Sequence, residues 1–446
     1  MKSTNYFVDF LTENEYVLYS WFGNSYTSFP LEWKEDVIKI LSNPEDVVSN
    51  KDAKIYKKLV DGKLLIPDNI DEYNLLLELR NQDIYRIDKL ILTIVPTLNC
   101  NCRCPYCYEI HPEERMSYDV VKNICKLIEN RAKTLNFLGI SWFGGEPLLM
   151  PEIIEEIGTF AVDISKKWEI KFNTGITTNA VLLNDKIINI FDKIQLRDVH
   201  FTLDGGKTRH NKMRTLVGGQ PTFDTIIKNV TNFLEANPLN KIAVRIHIHS
   251  GEETELNEIL SIFDIFKKFK DRVDIYFRDI YSSCTEDWDG NKDNESNCTY
   301  KINSSVEKFL LNELSKRGFS SPLGLKREYK YCDAEIRNSF LIRPDGFVTK
   351  CTVAIEKERA IGRLTEKGIG FFYSRLIPFE KKKLLETGDC KDCKFLPYCW
   401  GQCAYQNYQK ERDKLLERCK GLKNENIIMN EIINNIKEYY IQKIRK

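Results

Sequence analysis

From Leu90 to Phe277 short apolar segments alternate with amphipathic ones, and this alternation limits the chain to few folds. The apolar segments are Leu90–Val95, Gly139–Phe143, Ile170–Thr177, Val199–Leu203, Ile242–Ile248 and Val273–Phe277. Helical periodicity falls near 117–134, 151–167, 184–193, 222–236 and 253–268. Strand, helix, strand in this order predicts a parallel sheet with right-handed crossovers. Six units are too few to close an eight-stranded barrel, so the reading is an α/β fold built on an open, partial (β/α)6 TIM-like barrel. Active residues are expected at the C-terminal ends of its strands.

The flanks differ. Phe7–Phe10 and Tyr16–Trp21 read as strands, Leu31–Leu41 and Ala53–Val60 as helices, and Lys63–Ile66 as a strand. That order suits a small winged-helix-like module over residues 1–85, with polar Asp68–Asp83 as its linker. The barrel is assigned 86–280, a polar bridging region 281–330, a cysteine-rich domain 331–424 and a closing helix 425–446. That helix carries Ile428, Ile432, Ile436 and Tyr439 on one face, which reads as a packing stripe.

Bulk properties exclude several classes. A net charge of +1 supports neither nucleic acid nor an anionic membrane as partner. No apolar run approaches ~18 residues, so no membrane span is expected. Met1–Phe7 shows no apolar core of an export signal, and a cytoplasmic setting is expected. In that setting 14 cysteines favour metal or redox chemistry over disulfides.

Cys100, Cys104 and Cys107 follow directly on the first strand with C-x3-C-x2-C spacing. Three thiolates on a four-iron cluster leave one iron open to bind a ligand. A structural zinc site would ask for four ligands, commonly as C-x2-C pairs. Cys102 is a rival ligand within the same loop, but is read as incidental. Phe143-Gly144-Gly145-Glu146-Pro147 ends the second strand, where glycines allow close backbone approach and Glu146 offers an acceptor for an ammonium group. Thr177, Thr178 and Asn179 close the third strand. Strand alternation puts His200, Thr202 and Asp204 on one face, and Arg245, His247 and His249 on one face of the fifth strand. Arg245 suits a carboxylate; His247, His249 and Asp204 are candidates for contact with a reacting substrate, with satisfied interior side chains as the alternative.

The cysteine trio with aromatic Tyr106 before its last member resembles the signature of radical SAM enzymes. The resemblance implies that the open iron chelates S-adenosylmethionine (SAM) and that one electron cleaves it to a 5′-deoxyadenosyl radical. It further implies SAM contacts by Tyr106, by Gly144, Gly145 and Glu146 at the amino group, by Thr178 and Asn179 at the ribose, and by Thr202 and Arg245. Thr202-Leu203-Asp204-Gly205, with His210 and Arg214, is similar to the "S/T-L-D-G … H-x3-R" run of the maturase branch.

Cys332-x13-Gly346-x4-Cys351, then Cys390-x2-Cys393-x5-Cys399-x3-Cys403 and Cys419, resembles the SPASM pattern of peptide and protein maturases. It implies two auxiliary 4Fe-4S clusters, so three in all, with Cys332, Cys351 and Cys403 serving one and Cys390, Cys393, Cys399 and Cys419 the other. Sulfatase maturases carry a further cysteine where this chain has Lys326, so Cys284 or Cys298 would supply that ligand, or one iron stays open. They also carry an aspartate where Thr352 stands. The resemblance therefore points to a maturase of ribosomally made precursor peptides that forms a thioether or carbon–carbon cross-link. It implies an electron donor such as flavodoxin or ferredoxin. Residues 1–85 resemble by order and position the PqqD-type modules that bind leader peptides; a structural cap is the alternative. Formylglycine formation on sulfatases and a non-catalytic iron–sulfur scaffold are the competing functions.

Overall fold

The computed structural model describes residues 1–109, 111–248, 252–278, 304–319, 332–375 and 390–400, and five residues of a C-terminal helix between 433 and 441. His249, Cys284, Cys298, Lys326, Cys403 and Cys419 lie outside them. The chain divides into two compact units: residues 1–86, 323–337 and 376–446, and residues 87–322 with 338–375.

The first unit contains strands β1 (Lys2–Ser3), β2 (Phe7–Leu11), β3 (Glu15–Ser20), β4 (Ser25–Pro30) and β5 (Leu65–Ile66), with helices α1 (Lys34–Ser42), α2 (Asn50–Asp61) and α3 (Glu72–Ile84). β2, β3 and β4 form an antiparallel meander, and β1 pairs with β5. Alternation along β3 splits its apolar side chains between two cores. Tyr16 and Leu18 join Phe29, Val37, Ile40, Ile55 and Leu59. Val17 and Tyr19 join Val8, Phe10, Phe395, Ile436 and Tyr440. Ile436 is buried as the stripe predicted; Ile428, Ile432 and Tyr439 lie outside the described residues.

The expected linker at Asp68–Asp83 is instead largely helix α3. Asp71 caps it by accepting from the Asn74 amide at 3.1 Å. Tyr73, Leu76 and Ile84 bury their apolar side chains, and the polar Glu72 and Arg80 are buried with them. Thr4 and the Asn5 amide satisfy Glu72, while Arg80 pairs with Glu335. Burial of charged residues beside apolar ones is what made this helix read as a polar linker.

The second unit repeats strand and helix: β6 (Lys89–Ile94), α4 (Tyr118–Ala132), β7 (Phe137–Trp142), α5 (Pro151–Lys167), β8 (Lys171–Thr177), α6 (Asp185–Lys193), β9 (Asp198–Asp204), α7 (Lys207–Met213), α8 (Phe223–Ala236), β10 (Lys241–His247), α9 (Glu253–Phe266) and β11 (Val273–Arg278). β6 to β11 lie side by side in chain order and pair in parallel. Ser117, Asn184 and Glu146 side chains accept amides at the starts of α4, α6 and the turn after β7. Outward residues such as Val199, Phe201 and Leu203 are buried beneath the helices. Apart from Ala243, inward residues of β9, β10 and β11 are polar, among them Asp198, His200, Thr202, Lys241, Arg245, Asp274 and Tyr276.

After α10 (Ser304–Lys316) the chain returns through β12 (Ser339–Ile342), which pairs in parallel with β6. β13 (Phe347–Thr349), β14 (Gly362–Thr365) and β15 (Gly368–Phe371) continue outward as an antiparallel meander. Among the described residues the sheet is therefore open and ten-stranded, β11-β10-β9-β8-β7-β6-β12-β13-β14-β15. The cysteine-rich stretch 331–424 is divided between the two units, with 338–375 part of this sheet. Among the described residues no helix is long and apolar enough to cross a membrane.

Candidate functional site

The strand ends gather the motifs. The loop after β6 carries Cys100, Cys104 and Cys107. Thr97 anchors its start, donating its hydroxyl to the Glu114 carbonyl at 2.7 Å and accepting from the Asn99 amide at 3.0 Å. Gly144 and Gly145, at the end of β7, lie against this loop. A Cβ on Gly145 would sit 2.3 Å from the Asn99 carbonyl oxygen and 2.5 Å from that of Leu98. Gly144 has φ +124°, and its Cβ would meet the Thr97 carbonyl oxygen at 2.5 Å. The room made by the two glycines is thus filled by the cysteine loop itself.

Glu146 is wholly buried. Its carboxylate accepts from the Leu148 amide (2.9 Å), the Thr178 hydroxyl (2.7 Å) and the Asn179 amide (2.7 Å). Burial raises its pKa, and these donors work against that rise. A carboxylate has about four lone-pair directions, so three donors leave about one for an ammonium group.

Asn179 turns its side chain onto the cysteine loop. Its Nδ2 donates to Asn101 Oδ1 at 2.7 Å and lies 3.4 Å from Cys102 Sγ and 3.8 Å from Cys100 Sγ. The Cys102 amide also points at Cys100 Sγ, at 3.4 Å. A hydrogen bond from the Cys102 thiol holds the Cys100 pKa down, whereas burial pushes Cys104 up and Cys107 up to about 12.

Asp204 ends β9 and is wholly buried. Tyr106 donates its hydroxyl at 2.5 and 2.6 Å, Arg214 Nε donates at 3.1 Å, and His247 Nδ1 lies at 2.9 Å. Arg214 also donates to the Tyr106 hydroxyl at 2.7 Å. Burial alone would raise Asp204; the Arg214 charge and the His247 hydrogen bond outweigh it and hold the carboxyl far below the usual range. Asp204 and His247, two candidates for work on a substrate, therefore hold the cysteine loop through Tyr106. His210 completes the assembly: its Nδ1 accepts the Asp204 amide at 3.2 Å, and its Nε2 faces the Thr222 hydroxyl at 3.0 Å. That hydroxyl donates to the Arg214 carbonyl at 2.5 Å. Thr222 carried no signal in the sequence.

Deeper in the lumen, register sets Thr202 beside Arg245 and Arg245 beside Tyr276. Arg245 donates to the Tyr276 hydroxyl at 3.3 Å, and that hydroxyl bonds His200. Burial, reinforced by Arg245, pulls His200 down to about 4, so it is neutral. Below them lies a cavity of about 230 Å³ lined by Ser141, Thr177, Asp198, His200, Lys241 and Asp274, among others. Sequence reasoning also passed over Glu109, which burial pushes up to about 7.

The cysteine donors suit an iron–sulfur cluster: three thiols on one loop, N–H groups aimed at Cys100, and the Arg214 cation beside Cys104. Among the described residues no three Cys, His, Asp or Glu side chains converge on a point that could hold a single metal ion. A cluster, whose thiolates sit on separate irons, asks for no such convergence. Of the SPASM-like cysteines, Cys351 lies after β13, while Cys390 and Cys393 share a turn in the first unit, the Cys393 amide donating to the Cys390 carbonyl at 3.2 Å. Cys332 precedes the turn Asp333–Glu335, and Cys399 ends the short helix Leu396–Cys399.

Residues 94–262 match the family model "Radical SAM superfamily". This part of the chain is a radical SAM domain. Over 126 residues the chain is 29% identical to a GTP 3′,8-cyclase of Microcystis aeruginosa, a stretch covering 27% of this chain and 35% of that protein. The chain thus spans about a third of the length of the curated relative it matches. The fold is similar to that of anSMEcpe solved with bound AdoMet, at TM-score 0.57 and 19% identity, covering 78% of this chain and 100% of that one. For anSMEcpe with bound AdoMet and a Cp18Cys peptide the TM-score is 0.54 at 18% identity, covering 75% and 99%.

Proposed function

We propose that this chain is a radical SAM peptide maturase acting on a ribosomally made precursor peptide and forming a thioether or carbon–carbon cross-link. The observation that carries the reading is the loop of Cys100, Cys104 and Cys107 seated on Gly144 and Gly145 beside the buried Glu146. Bound there, cluster and SAM together would supply a 5′-deoxyadenosyl radical, the hard step that side chains cannot perform. The chain's own residues bind and orient. Glu146 offers its remaining lone pair to the SAM ammonium, Thr202 and Arg245 suit its carboxylate, and Thr178 and Asn179 border its ribose. Tyr106, fixed by Asp204 and Arg214, holds the loop against β9.

A peptide substrate is supported by the maturase-type run from Thr202 to Arg214 and by the SPASM-like cysteine spacing, which implies two auxiliary 4Fe-4S clusters. anSMEcpe, which shares the fold, has been solved with a peptide. In the first unit both faces of the β2-β3-β4 sheet are packed, so among the described residues the edges of β2 and β4 are what remain for a leader peptide to join as an added strand. Reduction by flavodoxin or ferredoxin in a cytoplasmic setting fits this chemistry. Formylglycine formation fits less well, because Thr352 replaces the expected aspartate; its carbonyl accepts from Tyr108 at 3.3 Å.

The test is anaerobic reconstitution with SAM, reductant and a cysteine-containing precursor peptide. Mass spectrometry should find 5′-deoxyadenosine and a peptide lighter by two hydrogens. Three clusters correspond to about twelve irons per chain, whereas a zinc scaffold would hold none. A Cys104→Ala protein that still cleaves SAM would refute the assignment.

A further inference from the structure

Four cysteines fall within eight residues of the loop, but an open iron tolerates only three of them as ligands. The fourth, Cys102, is a competitor in waiting. If its thiol reached the cluster, an S–H bond would break, an Fe–S bond would form and the proton would pass to solvent. No redox change is needed, so chemistry alone raises no barrier.

The structure shows what restrains it. Cys102 is 1% exposed. Its backbone forms a bridge with Leu216, flanked by hydrogen bonds from the Arg103 amide to the Thr215 carbonyl (3.0 Å) and from the Val217 amide to the Asn101 carbonyl (2.9 Å). The Arg103 guanidinium adds hydrogen bonds to the carbonyls of Cys100 and Cys102 at 2.5 and 2.8 Å. The side chain is met by Asn179 Nδ2 at 3.4 Å. Asn179 is itself held at both ends: its amide donates to Glu146 at 2.7 Å, and its Oδ1 accepts from the Val181 amide at 3.0 Å.

We infer that Asn179, together with the Thr215–Val217 segment, keeps Cys102 out of the ligand set so that one iron stays open. The inference rests on the radical SAM reading and deepens it. Asn179 acts here as a positioning residue, through a thiol rather than on the substrate.

The test compares the electron paramagnetic resonance spectrum of the reduced, reconstituted full-length protein with and without SAM. In the unaltered protein SAM should shift the signal. Asn179→Ala should lose roughly half or more of that shift, because a released Cys102 caps or displaces a ligand. Asn179→Asp should behave alike while preserving the turn to Val181, which covers the case in which the alanine variant fails to fold. Cys102→Ala should keep the shift, and at saturating SAM, which compensates for the lost ribose contact of Asn179, Asn179→Ala combined with Cys102→Ala should regain it. A merely structural Asn179, or one needed only to touch SAM, would show no such rescue. Full retention of the shift in both Asn179 variants, failure of the double variant to recover, or loss of the shift in Cys102→Ala alone would each overturn the inference. An unaltered protein whose signal ignores SAM would instead sink the radical SAM reading beneath it.

Discussion

His210 offers the sharpest test of the buried network, because its protonation state is fixed by its partners. Nδ1 accepts the Asp204 amide, so it carries no proton; Nε2 must then carry one and donate it to Thr222, whose own proton goes to the Arg214 carbonyl. A second proton on the ring would set N–H against N–H. Burial accordingly pulls the pKa from 6.5 down to about 4, with Arg214 adding to that and Asp204 opposing it. Between those values the unfolded chain binds a proton that the folded one refuses, so stability falls as pH drops through 6.5 toward 4. From about pH 7.5 to about pH 5 the loss amounts to roughly 2 kcal/mol. His210→Asn keeps an acceptor near the Nδ1 position but cannot titrate. At about pH 7.5 it should cost about 1 kcal/mol for the lost bond to Thr222. At about pH 5 that deficit should vanish or reverse, since only the native protein has lost its histidine contribution. Hydrogen exchange of β9 and β10 amides, corrected for intrinsic rates, measures both states. Parallel pH profiles for the two proteins would refute the tautomer argument.

Three further outcomes are expected. Gly145→Ala places a methyl 2.3 Å from the Asn99 carbonyl oxygen and should lower iron incorporation at the cysteine loop, whereas Gly370→Ala on β15, whose Cβ would meet only the Arg363 carbonyl oxygen at 3.8 Å, should not; iron analysis and cluster spectra decide. Glu146→Gln sets an NH2 group against either the Asn179 amide or the donors at Oε1, leaving a buried donor unmet at about 1–3 kcal/mol, and should weaken SAM retention in anaerobic dialysis. In the first unit, Arg80→Met removes the cation from the buried Arg80–Glu335 ion pair and should cost about 3–5 kcal/mol in exchange protection of α3, with Glu335→Leu in the same chain restoring most of it.

The parallel strands were legible because each is a short apolar run bounded by a helix of clear period; β9 and β10 differ from the sequence reading by a residue or so at each end. What escaped lacked such contrast. β12 to β15 are three or four residues each, and the pairing of β12 with β6 joins segments some 250 positions apart, which no local pattern encodes. The strand β4, the helix α10 and the short helix α7, about two turns long, were passed over for the same reason. In α3, charges buried beside apolar groups erased the stripe that marks a helix.

The site divides along a different line. Spacing located the chemistry-bearing residues, because three thiolates, a Gly-Gly-Glu turn and a Thr-Leu-Asp-Gly strand end each have a local signature. It could not say which neighbour each side chain serves. Gly144 and Gly145 read as room for a ligand, yet they admit the carbonyls of Thr97, Leu98 and Asn99. Asp204 and His247 read as candidates for work on a substrate, yet each spends its charge or hydrogen bond on the group that fixes Tyr106. The common cause is physical. A loop that must present three sulfurs in a set geometry has little secondary structure to hold it, so the strand ends around it supply the missing hydrogen bonds. Residues recruited for that task are polar, buried and close to the chemistry, and from sequence alone they look the same as residues that perform it.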